Sequence, residues 1–205
     1  PATVCQGSTI NLSCGTYSLY AWSTGSNASS INVNGAGNFV VTVTDGNGCT
    51  GTSSQKTITV AALPTPVINA LGATQFCDGG TVTLDAGAGY STYLWSNGKT
   101  TQTNAITASG TFTVTVTNAN SCTGISAPVT VTEWILPAVT VTAVGPTTYC
   151  KNSGTYLTTL SGPYTYQWLK GSAAQNGATN QTFAPVSSGT YKVKVTDVNG
   201  CNKTS

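Results

Sequence analysis

The stretch that decides the fold is GTFTVTVTNANSCTG, residues 110–124. It has two near-copies in the same chain, GNFVVTVTDGNGCTG at 37–51 and GTYKVKVTDVNGCNK at 189–203. Within it Phe112, Val114 and Val116 alternate with Thr113, Thr115 and Thr117, the period of a two-faced strand. The Asn-rich NANS that follows is turn chemistry, and a cysteine closes the unit.

Two other phrases recur in step. VCQGSTINL (4–12), FCDGGTVTL (76–84) and YCKNSGTYL (149–157) form one set, and YAWSTG (20–25), YLWSNG (93–98) and YQWLKG (166–171) the other. The order is always cysteine, aromatic-x-Trp, Gly-x-aromatic, cysteine. A fixed period of about 70 residues outranks length as a guide to domain number. The chain therefore reads as three repeats, 1–62, 63–136 and 137–205. The first lacks an opening strand and the third stops short of its last, as in a piece cut from a longer chain.

The second repeat shows the pattern in full. TPVINA (65–70) reads as an opening strand. VTLDA follows, with Val82, Leu84 and Ala86 on one face, and then TYLWS, with Tyr93 and Trp95 on one face. Asn97-Gly98 is a tight-turn signal. QTNAIT is a short strand, and APVTVT (127–132) closes the unit. Six or seven short strands with a turn every 8–12 residues, and no helical period, predict an all-β chain of β-sandwiches. Trp22, Trp95 and Trp168 are the expected core tryptophans.

Composition narrows the chemistry. Charged residues make up 6% of the chain, histidine is absent and the net charge is +2, so no basic field for nucleic acid exists. No apolar run approaches the ~20 residues of a membrane helix. The five carboxylates, Asp45, Asp78, Asp85, Glu133 and Asp197, are scattered, and no pair recurs in every repeat. General acid–base catalysis is not expected. The turns DGNG, NANS and DVNG read as Asx turns, since calcium asks for more oxygen ligands than they hold. Tyr17, Tyr90 and Tyr164 precede the tryptophan strands and are read as packing on their own loops. No cofactor or metal site is expected.

Leu12, Leu84 and Leu157 each precede a tryptophan by about eleven residues, and a Gly-x-aromatic corner (Phe39, Phe112, Tyr191) opens a later strand. This resembles the immunoglobulin pattern, with Leu84 and Val114 where antibody domains carry their inter-sheet cysteines. Only Tyr191 keeps the hydroxyl of a tyrosine corner. The relocated cysteines and the phrases TVTDGNGC and TVTNANSC resemble the tandem Ig-like repeats of large secreted Bacteroidota surface proteins, gliding-motility adhesins among them. The resemblance implies a tandem array of three immunoglobulin-like sandwich domains. It implies a secreted, cell-surface, non-enzymatic adhesin or stalk. An accessory module of a polysaccharide-degrading enzyme and an extracellular filament subunit are the alternatives. Candidate partners are neighbouring repeats, surface glycans and other copies of the chain.

Seven cysteines in such a chain imply an oxidising compartment. Six occupy repeated positions: Cys5, Cys77 and Cys150 early, Cys49, Cys122 and Cys201 late. In an immunoglobulin sandwich the turn before the second strand and the turn between the last two strands lie at opposite ends. The resemblance therefore favours bridges between repeats, Cys5–Cys122 and Cys77–Cys201. If the twelve residues from Gly98 to Gly110 hold one strand instead of two, the pairs within a repeat return: Cys5–Cys49, Cys77–Cys122 and Cys150–Cys201. Cys14, in line with Ile10 and Leu12, is expected to be a buried free thiol. The linkers AALPTP (61–66) and EWILP (133–137) are short and proline-stiffened. Trp134 is expected to pack between the second and third domains.

Overall fold

A computed structural model describes residues 1–148 and 154–205. The chain is all-β, a tandem of three immunoglobulin-like β-sandwiches, and no helix occurs among the described residues. Contacts group it into two compact units. One comprises Pro1–Leu71, Thr83–Asn104 and Thr111–Val129. The other comprises Gly72–Val82, Ala105–Gly110 and Thr130–Ser205.

The first repeat lies wholly in the first unit. Its strands are β1 (Ala2–Cys5), β2 (Ile10–Ser13), β3 (Leu19–Trp22), β4 (Ser30–Val33), β5 (Gly37–Phe39), β6 (Val41–Thr44), β7 (Thr50–Thr52) and β8 (Lys56–Ala61). The GNFVVTVT copy does not run as one unbroken strand. Gly37 to Phe39 pair with β8, whereas Val41 to Thr44 pair with β3 on one side and β7 on the other. Val40 lies between the two ladders, where the chain passes from the β1-β8-β5 sheet to the β3-β6-β7 sheet. Just past this crossing the Ser53 hydroxyl accepts the Val41 N–H at 3.1 Å. Leu12, Trp22, Val33, Val41 and Ile58 form the buried core. Among the described residues β2 pairs with β4 alone, in a two-stranded sheet.

The second repeat supplies β9 (Asn69–Ala70), β10 (Gln75–Cys77), β11 (Val82–Asp85), β12 (Thr92–Trp95), β13 (Thr103–Ile106), β14 (Gly110–Phe112), β15 (Val114–Thr117), β16 (Thr123–Ile125) and β17 (Val129–Trp134). In the first unit β15 pairs with β12 and β16, and β11 pairs with β9. In the second unit β10 runs parallel to β17. Leu84 and Val114 are fully buried.

The third repeat lies in the second unit, with β18 (Thr142–Val144), β19 (Tyr156–Thr158), β20 (Thr165–Lys170), β21 (Ala173–Ala174), β22 (Thr182–Phe183), β23 (Tyr191–Thr196) and β24 (Asn202–Thr204). One sheet orders β18-β19-β22 and the other β21-β20-β23-β24. Trp168, Val193 and Val195 are its fully buried core, with Phe183 stacked on Trp168 at 5.6 Å.

Candidate functional site: the disulfide junctions

The candidate site is where each repeat hands the chain to the next. In the first unit β1 runs parallel to β8, with Cys5 opposite Ala61, the residue from which the chain leaves the repeat. Gln6 N–H donates to Ala61 O and Ser8 N–H to Cys5 O, so a turn follows the cysteine at once. Cys122 sits in the NANS turn. The Asn118 Oδ1 accepts the N–H groups of Asn120 and Cys122, each at 3.0 Å, and so shapes that turn. The amide's other end also works: Asn118 Nδ2 donates to the linker carbonyl of Ala62 at 3.2 Å. Beside it Gly124 lies against the Pro64 carbonyl, with no room for a Cβ. Cys5 and Cys122 are joined in a disulfide, with Cα atoms 5.5 Å apart.

The second unit repeats the arrangement. Cys77 ends β10 opposite Trp134 in β17, and Asp78 N–H donates to Trp134 O. Asp197 Oδ1 accepts from Asn199 and Cys201 N–H at 2.9 and 2.8 Å. Cys77 and Cys201 are joined, again with Cα atoms 5.5 Å apart. Cys122 and Cys201 are fully buried. Cys49 has the same turn, with Asp45 Oδ1 accepting from Asn47 and Cys49 N–H at 2.9 Å. It is nevertheless free and exposed. Cys150 lies outside the described residues.

Several expectations are corrected. The early cysteines are not in turns: Cys5 and Cys77 are the last residues of strands. The span 98–110 holds a single strand up to Gly110, β13, yet the bonds run between repeats. Parallel pairing is the reason. It fixes Cys5 beside the exit of β8, whereas the 45–49 turn closes the β6–β7 hairpin, whatever number of strands lies between. Cys14 is free but only half-buried. It lies one residue past the end of β2, with its thiol 3.8 Å from Ser29 O. Trp134 belongs to strand β17 rather than to a linker and is half-buried there. TPVINA is in strand conformation only at Asn69–Ala70.

Two recurring devices escaped the sequence reading. Ser126 and Ser205 take the Val114 and Val193 N–H groups at 3.1 Å, as Ser53 takes that of Val41. The tyrosine two residues before each tryptophan clamps the preceding loop: Tyr20 Oη donates to Gly15 O, Tyr93 to Gly87 O and Tyr166 to Leu160 O. A twelve-residue spacing from valine to serine, present in all three repeats, was the available signal for the first. Tyr17 and Tyr90 pack edge-on against Tyr20 and Tyr93. The corner hydroxyl of Tyr191 donates to Ser187 O at 2.7 Å. Among the described residues no three His, Cys, Asp or Glu side chains converge as a metal group. No helix among them is long and apolar enough to cross a membrane.

No family model and no curated protein matches the chain. Solved structures that resemble it include the mouse nectin-like molecule 4 full ectodomain (Ig1–Ig3), at 13% identity and TM-score 0.41, covering 100% of this chain and 95% of that one. Drosophila OTK extracellular domains 3–5 align at 14% identity and TM-score 0.39, covering 100% and 91%. A Bacteroides ovatus protein, SGBP-B of the mixed-linkage glucan utilization locus, solved with a mixed-linkage heptasaccharide, aligns at 14% identity and TM-score 0.26, covering 98% and 60%.

Proposed function

We propose that this chain is a non-enzymatic segment of a secreted, cell-surface repeat array, an adhesin or stalk of the kind its cysteine-bearing repeats resemble in Bacteroidota. Its work is to span distance and carry tension between whatever lies at its ends. The observation that supports this reading most is the pair of disulfides, each tying one repeat to the next. Such bonds persist only in an oxidising compartment. The two bonds also overlap along the chain. The covalent path from Pro1 to Ser205 crosses from Cys5 to Cys122, returns along 77–122 to Cys77, and crosses to Cys201. Load thus passes from repeat to repeat through the bonds, and of the strands of the first and third repeats only β1 and β24 lie on the path between a chain end and a bond. An antibody raised against the purified chain tests the placement. Labelling of intact, unpermeabilised source cells is expected, and labelling only after permeabilisation contradicts it.

A further inference from the structure

Five Asn-Gly steps occur in the chain, at 34–35, 47–48, 97–98, 176–177 and 199–200. An Asn-Gly step is prone to spontaneous ring closure, because glycine has no Cβ to shield its nitrogen from the asparagine side chain and its backbone turns freely. The reaction has two requirements. The glycine N–H must be free to give up its proton, and the asparagine amide must be free to swing onto that nitrogen. The fold meets both at two of the steps and blocks one or both at the other three.

Three of the glycine N–H groups are held. Gly98 N–H donates to Trp95 O at 2.8 Å, Gly200 N–H to Asp197 O at 3.1 Å and Gly48 N–H to Asp45 O at 3.2 Å. At 97–98 the amide is held as well. The buried Asn104 donates from Nδ2 to Asn97 Oδ1 at 3.0 Å, and Asn97 Nδ2 faces Asn104 Oδ1 at 3.5 Å. The other two steps carry neither lock. Asn34 and Gly35 are exposed in the link between β4 and β5, and Asn176 and Gly177 are exposed in the turn after β21. Among the described residues neither glycine N–H has an acceptor.

We infer that Asn34 and Asn176 are sites of spontaneous covalent modification of the folded chain, and that the fold keeps Asn47, Asn97 and Asn199 intact. Hydroxide removes the Gly35 N–H proton, and the nitrogen attacks Asn34 Cγ. The N–Cγ bond forms and the Cγ–Nδ2 bond breaks. Nδ2 leaves as ammonia with a proton taken from water, which restores the hydroxide. Water then opens the five-membered imide at either carbonyl, giving aspartate or isoaspartate, the latter with one more methylene in the main chain. Nothing is oxidised or reduced. Asn176 and Gly177 react in the same way. The added methylene falls in a link at 34 and in a turn at 176, outside the ladders, so Val33 keeps its place opposite Ile10. Each event replaces a neutral amide with a carboxylate, and the two together take the net charge of this chain from +2 to zero.

Incubation of the oxidised chain at mildly alkaline pH, with peptide mass spectrometry of timed samples, provides the test. Asn34 and Asn176 react at least about fivefold faster than Asn47 and Asn199, the factor that a hydrogen bond of ordinary net strength gives. Asn97, locked twice, is the slowest. The rate at Asn34 rises in proportion to hydroxide concentration. In urea with reductant the five rates converge, because the dipeptide is the same at every site. Gly35→Ala, whose Cβ meets open space, removes the fast phase at Asn34 and leaves that at Asn176 as it was. Equal rates at all five sites in the folded chain, Asn97 reacting with the fast pair, or the same order of rates in urea as in the folded chain would each overturn the inference.

Discussion

Cys5 and Cys122 lie 117 residues apart in the chain, yet their Cα atoms are 5.5 Å apart, and the bond joins the last residue of β1 in the first repeat to a turn of the second. Cys77 and Cys201, 124 residues apart, do the same one repeat later. The two bonds interlock, since each encloses one end of the other. On the loop-entropy model a closed loop of this size stabilises the folded chain by about 4–5 kcal/mol per bond.

Interlocking has a mechanical consequence. Stretched between its termini after full unfolding, the oxidised chain spans about 190 Å, because only 77–122 and the short ends extend; the reduced chain spans about 700 Å. Single-molecule force extension in the presence and absence of reductant measures both lengths. Equal lengths in the two conditions contradict the bonding.

Gly124 is required by the junction and Gly51 is not. A side chain on Gly124 collides with the Pro64 backbone, which cannot swing aside as a side-chain tip would. Gly124→Val therefore costs about 1–3 kcal/mol of overpacking and speeds reduction of Cys5–Cys122 by dithiothreitol. Gly51→Val stays within about 0.5 kcal/mol of the parent. Urea midpoints and reduction rates read both, and equal effects at the two glycines would refute the distinction.

The serines that accept these valine N–H groups form a graded set. Ser126 is buried, and its hydroxyl is the acceptor for the buried Val114 N–H. Ser126→Ala strands that donor and costs about 1–3 kcal/mol. Ser53 is exposed, so water replaces its hydroxyl and Ser53→Ala costs less. Tryptophan fluorescence during urea unfolding measures the difference, and a larger loss at Ser53 would count against it.

The repeats, the two-faced strands, the core tryptophans and the cysteine positions are legible because each has a local signature: alternation, turn chemistry, or a recurring residue at a fixed offset. The strands holding Cys5 and Cys77 are not. They pair in parallel with β8 and β17, residues some 57 positions away, and parallel pairing leaves no turn motif to read. The break between Phe39 and Val41 is hidden for a related reason. The alternation of Phe39, Val41 and Val43 runs unbroken across the passage from one sheet to the other, so GNFVVTVT looks continuous. Cys14 is half-buried because it lies one residue past the end of β2, where the strand alternation that suggested burial no longer holds.

The two free thiols separate kinetically. Cys49, on an exposed turn, reacts with a small disulfide reagent at once, and Cys14, half-buried against the first core, reacts more slowly. Mass spectrometry of time-quenched samples assigns each site. Faster labelling of Cys14 than of Cys49 would show that the first repeat is more open than its packing indicates.

The central claim is that the disulfides run between repeats, and proteolysis of the oxidised chain under non-reducing, thiol-blocked conditions tests it most directly. The account predicts two cross-linked peptides, one containing Cys5 with Cys122 and the other Cys77 with Cys201, with Cys14 and Cys49 recovered alkylated. A peptide joining Cys77 to Cys122, or Cys5 to Cys49, would contradict it.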